Sequence, residues 1–146
     1  MKLLVLSVCL LATVMITSAN TVANLALHGS KLSPEEVQQC YESTNLKEDE
    51  LITYDEIKNG TYVQNPERAT KNGCFSACIL EKRELIVNGE IQKDKLYAKE
   101  AHANLNHDVR GAIHAAVNRC VEEVKTNPDL CDKSLSLLVC LSKKFI

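Results

Sequence analysis

From residue 109 onward, apolar side chains return at every third or fourth position: Val109, Ile113, Ala116, Val117, Cys120, Val121 and Val124. That interval lines them along one stripe and predicts a helix over about 108–125. Downstream, Leu135 to Leu141 is apolar nearly all round apart from Ser136, which predicts a central helix buried on most sides. Its serines are expected to return hydrogen bonds to the backbone. Upstream, Leu96, Tyr97, Ala101 and Leu105 predict a helix between the Asn88-Gly89 turn signal and Asn106. A shorter amphipathic helix is expected to start at Asn45, with Glu48 three residues on, and to run through Leu51, Ile52 and Ile57 to a stop at Asn59-Gly60. There are no long β-type alternating runs, internal repeats or low-complexity stretches, and residues 20–31 read as a loosely held arm.

The prolines sharpen the helix starts. All three follow a good N-cap residue and precede an acid: Ser33-Pro34-Glu35, Asn65-Pro66-Glu67 and Asn127-Pro128-Asp129. Proline at the first helical position loses no needed hydrogen bond, and the acid faces the positive end of the peptide dipoles. Glu36 completes a capping box with Ser33.

The first residues carry a different signal. Lys2 is followed by a mostly apolar run from Leu3 to Ile16 and by the small residues Thr17, Ser18 and Ala19, the layout of a signal peptide. A run of about 14 apolar residues falls short of the roughly 20 that span a bilayer, so export is expected rather than membrane insertion. Residues 1–19 are read as the leader and 20–146 as one helical domain, with cleavage after Ala23 as the weaker alternative. The formal net charge of −2, with both signs mixed along the chain, excludes a nucleic-acid partner and an anionic membrane surface.

Of seven cysteines, Cys9 leaves with the leader. The other six, Cys40, Cys74, Cys78, Cys120, Cys131 and Cys140, are separated by 33, 3, 41, 10 and 8 residues. An even set in a short exported chain reads as a disulfide framework. Cys74 and Cys78 lie on one helix face on successive turns, so each reaches a different partner more naturally than they reach each other. Counting alone leaves about 15 pairings open. A metal site is disfavoured because the paired C-x-x-C clusters of a zinc ribbon are missing, and no cofactor is expected.

This cysteine order, with three residues between the second and third and eight between the fifth and sixth, resembles the signature of insect odorant-binding proteins of the pheromone and general odorant-binding type. The resemblance covers nearly all of 20–146. It implies the pairs Cys40–Cys78, Cys74–Cys131 and Cys120–Cys140, and an all-α fold: a compact array of about six helices stapled by three disulfides around an apolar cavity. It also implies a secreted, extracellular carrier that reversibly binds a small hydrophobic molecule, as a monomer or weak homodimer, with a chemosensory receptor as an indirect partner. The alternatives are a non-sensory carrier of lipids or hormones and a protein-binding effector on the same scaffold.

Ligand contacts are expected from the apolar helical stripes at Leu51, Phe75, Ile79, Leu96, Ile113, Val117, Leu138 and Val139, with Tyr54 and Tyr97 as polar contacts. Phe145 and Ile146 are candidates for an apolar lid. Of the histidines His28, His102, His107 and His114, the last flanks the apolar stripe and is the one to test for the pH-dependent release that the resemblance implies. Asn59-Gly60-Thr61 is a glycosylation sequon. An enzyme is not expected. His107-Asp108 superficially resembles a phospholipase pair but lacks its flanking cysteines and calcium loop, and no G-x-S-x-G or H-E-x-x-H is present.

Overall fold

The computed structural model describes residues 21–27, 30–97 and 104–145. The leader, His28, Ala101, His102, Ile146 and the side chain of Phe145 lie outside the described residues, so the expectations placed on them have no structural counterpart.

The arm expected at residues 20–31 is instead docked. Helix α1 (Val22–Leu27) buries Val22, Ala23 and Ala26, and Thr21 pairs with Thr53 in an isolated antiparallel bridge. The Val22 amide donates to the Ile52 carbonyl at 2.9 Å, and the Arg83 guanidinium donates to the Ala26 carbonyl. Small side chains at 22, 23 and 26 make one flat helical face, too short to register as a periodicity.

Helix α2 (Pro34–Thr44) begins where its cap predicts. The Glu36 amide donates to the Ser33 hydroxyl at 3.2 Å, and the Ser33 amide donates back to the Glu36 carboxylate at 2.8 Å. Asn45 ends this helix rather than opening the next: its φ of 49° turns its amide back onto the last carbonyls. The expected helix from Asn45 is thereby corrected. A 3-10 turn (Glu48–Glu50) leads into extended, buried Leu51 and Ile52, and α3 (Tyr54–Asn59) starts only at Thr53. Thr53 and Glu56 form a second capping box that outcompetes Asn45, and the stop at Gly60, φ 69°, is as expected.

After a 3-10 turn (Thr61–Gln64), α4 (Pro66–Lys82) is capped by Asn65, which accepts the Arg68 amide at 3.0 Å. Between Asn88 and Asn106 the turn signal is met, and of the helix expected after it the described residues show its first part, residues 98–103 lying outside them. Asn88 and Gly89, both at positive φ, turn a hairpin between β1 (Ile86–Val87) and β2 (Glu90–Ile91), and α5 (Lys93–Leu96) is a single turn. Buried Lys133 reaches across to the Gly89 carbonyl, 2.9 Å away, and pins the hairpin.

Helix α6 (His107–Val124) starts at Asn106, which accepts the Val109 amide at 2.9 Å. Helix α7 (Leu130–Phe145) begins slightly later than the third proline implies. The Asp129 carboxylate accepts the Asp132 amide at 2.7 Å and so serves as the cap, while Asn127 accepts the Asp129 amide in the lead-in turn.

Helix α7 is the central element, packed on α4, α6, α1 and α3. Leu135, Leu137, Leu138, Val139 and Leu141 are buried on it, as its continuous hydrophobicity predicts. Its serines depart from expectation, because the Ser134 and Ser142 hydroxyls are buried without a hydrogen-bond partner. The molecule is thus all-α apart from one short hairpin, with seven α-helices among the described residues. Three disulfides join α2 to α4 (Cys40–Cys78), α4 to α7 (Cys74–Cys131) and α6 to α7 (Cys120–Cys140), the pairs that the family resemblance implies.

Candidate functional site, a half-buried apolar wall between α5 and α6

Five of the ligand contacts expected from sequence converge where α5 meets α6. Leu96 and Tyr97 close the single turn of α5, and Ile113, His114 and Val117 lie on neighbouring turns of α6. The Tyr97 ring stands against the His114 ring, centroids 4.5 Å apart and planes at 51°, and its hydroxyl donates to the Asn118 side chain. His114 and Asn118 are one helical turn apart, so the tyrosine meets both on a single face of α6. An ion pair between Lys93 and Glu122, 3.1 Å, ties the other side of α5 to α6.

The burial of this wall is graded. Val117 is buried, whereas Leu96, Tyr97 and Ile113 are only partly covered and pack against the core from outside. Farther along, Val109 and Leu105 are exposed. The apolar stripe of α6 therefore continues beyond the packed interior, which leaves apolar surface whose transfer from water is favourable.

The other expected contacts lie elsewhere. Phe75 and Ile79 on α4 are completely buried, Leu138 and Leu51 nearly so, and all belong to the same continuous core as Val117. The Tyr41 ring covers Phe75 with centroids 4.4 Å apart. Tyr54 is half-buried at the edge of this core, and desolvation raises its phenol pKa, which keeps the hydroxyl neutral and able to donate. Val139 lines a separate, solvent-open groove of about 380 Å³ between α6 and α7.

Polar side chains that the sequence reading passed over hold the segment carrying Leu51 in place. Asn72, buried on α4, accepts the Ile52 amide at 3.0 Å and donates to the carbonyls of Glu50 and Arg68. Arg68 donates to the carbonyls of Glu50 and Leu51 and forks onto Glu56. Hydrogen bonds from that guanidinium, chiefly, lower the Glu56 carboxyl pKa to about 2. A polar residue on an otherwise core-facing helix carries no periodic signal, so only its fit against an extended strand of backbone reveals its role.

His107 and Asp108 stand fully exposed at the start of α6, and no described set of three His, Cys, Asp or Glu side chains is grouped to hold a metal ion.

Residues 33–144 match the model of the PBP/GOBP family. Over 97% of its length the chain is 34% identical to the pheromone-binding protein Gp-9 of Solenopsis nigella gensterblumi, and 32% identical to that of Solenopsis daguerrei, covering 91% of each relative. Among solved structures, pheromone binding protein 3 of Epiphyas postvittana aligns with 20% identity and a TM-score of 0.48, covering 75% of this chain and 92% of that one. With the family match running from the cap of α2 to the last turn of α7, and relatives at this identity over nearly its whole length, the chain belongs to the PBP/GOBP family.

Proposed function

We propose that the protein is a secreted carrier that reversibly binds one small hydrophobic molecule, an odorant or pheromone, against the α5–α6 wall and the apolar interior behind it. The family is one of binding proteins rather than enzymes, and its curated relatives are named for pheromone binding. The observation that carries the reading is the convergence of Leu96, Tyr97, Ile113, His114 and Val117 on one half-covered apolar surface. A small apolar guest seated there gains roughly 25 cal/mol for each Å² removed from water, and the Tyr97, His114 and Asn118 polar atoms give its head group a partner. Three disulfides hold the surrounding helices at fixed separations, so space for a guest need not be closed by collapse. The disulfides also suit an oxidising extracellular fluid, and no described helix is long and apolar enough to cross a membrane.

Displacement of a fluorescent apolar probe, N-phenyl-1-naphthylamine, tests this. The parent protein is expected to bind one probe per chain. Val117→Phe and Ile113→Asp are expected to weaken binding about tenfold or more, the first by filling the wall and the second by charging it. Absence of probe binding by the oxidised protein, or unchanged affinity in both variants with their thermal stability retained, overturns the proposal.

A further inference from the structure

The groove between α6 and α7 lies apart from the α5–α6 wall and has a different chemistry. Its volume of about 380 Å³ is at the small end of the range for ligand sites. The half-buried Tyr62, with the narrow exposed edge of the otherwise buried Val139, supplies its apolar surface, and Arg119, Lys143 and Lys144 supply three cations against one carboxylate, Glu123. That carboxylate is already engaged, because the Arg119 Nε donates to it at 3.1 Å. No described carboxylate pairs with Lys143 or Lys144. On a chain of net charge −2, the groove is therefore a local concentration of uncompensated positive charge beside apolar side chains.

We infer that this groove is a second, outer binding site for a small amphiphilic carboxylate, with the head group held by Lys143 and Lys144 and the hydrocarbon chain laid along Val139 and Tyr62. Two ammonium groups recognise a carboxylate by charge-assisted hydrogen bonds that a neutral alcohol of the same length cannot form. The site differs from the α5–α6 wall, where the described lysines of α5, Lys93 and Lys95, are each already paired with a carboxylate, Glu122 and Glu84. The two therefore sort ligands by charge.

Residue-resolved amide NMR with octanoate, octanol and acetate as probes tests the inference. Octanoate is expected to shift the amides of Arg119, Ser136, Lys143 and Lys144 saturably, more weakly as salt is raised. Octanol and acetate are expected to leave those amides in place, because each lacks one half of the recognition. Lys143→Gln with Lys144→Gln, both on exposed positions, is expected to weaken octanoate at the groove about tenfold or more while shifts at Ile113 and Val117 persist. Equal response to octanol, undiminished octanoate binding by the double variant, or shifts confined to Ile113 and Val117 overturns the outer site. The last outcome leaves the carrier function intact, and loss of probe binding at the wall alone leaves the outer site intact.

Discussion

Gly73 sits directly against the backbone of Cys131: a Cβ built on it would stand 2.4 Å from the Cys131 carbonyl oxygen and 3.3 Å from the Leu135 Cβ. The neighbouring Cys74 is bonded to Cys131, with Cα atoms 4.2 Å apart, so α4 and the start of α7 are drawn together at one point by a cross-link and by the absence of a side chain.

That contact predicts the cost of one methyl group. The obstructing atom is backbone, which cannot swing aside, so Gly73→Ala is expected to destabilise the fold by about 2–3 kcal/mol and lower the melting temperature by roughly 10 °C. Thermal unfolding followed by circular dichroism checks this. Gly111→Ala, on an exposed position with open space around it, is the control and is expected to leave stability unchanged or slightly raised.

The Glu56–Arg68 pair predicts a specific acid sensitivity. The Glu56 carboxyl has a folded pKa of about 2 against an ordinary 4.5, first because Arg68 donates hydrogen bonds to it. As the folded value is the lower one, the stabilisation is complete above the ordinary value and is lost as pH falls from there towards 2. Arg68→Met removes the partner and unclamps the carbonyls of Glu50 and Leu51, at an expected cost of about 2–3 kcal/mol near neutral pH. The gap between parent and variant urea midpoints should narrow as the solution becomes acid, down to the part contributed by the two carbonyl contacts, which do not titrate. A constant gap would show that Glu56 does not contribute.

The docking of α1 predicts where the leader is removed. Thr21, Val22 and Ala23 are each no more than 6% exposed, so cleavage after Ala23 would strip buried residues and the hydrogen bond to Ile52 from the fold. Amino-terminal sequencing of the mature protein is expected to begin at Asn20. A chain shortened to start at Leu32 is expected to unfold at lower denaturant and to bind a hydrophobic dye that the longer chain does not. Identical midpoints would show that α1 adds nothing.

Asn59 is placed to receive a glycan. It ends α3 as an exposed side chain, followed by the left-handed Gly60 and by Thr61 at an exposed turn. Expression through a eukaryotic secretory pathway should yield a protein that loses mass on treatment with peptide N-glycosidase, and Asn59→Gln should abolish the difference. A protein of unchanged mass would show that the sequon is not used.

The parts of this fold that could be read from the chain are those governed by neighbours in sequence. The caps at Ser33 and Asn65, the stripe of α6 and the all-round hydrophobicity of α7 rest on contacts within a few residues, and a 3.6-residue period or a cap expresses them directly. Asn45 misled because an asparagine can either open a helix as its N-cap or close one in the left-handed conformation, and here it closes α2. Packing made the choice: burying Ile52 required an extended strand held by Asn72 and Val22. The candidate site divides in the same way. Periodicity identified the apolar positions but not their surroundings, so Phe75 and Ile79, sealed in the core, looked no different from Ile113 and Leu96 on the open wall. Whether an apolar side chain faces another helix, a guest or a charged groove depends on elements far away along the chain, and tertiary structure alone brings those together.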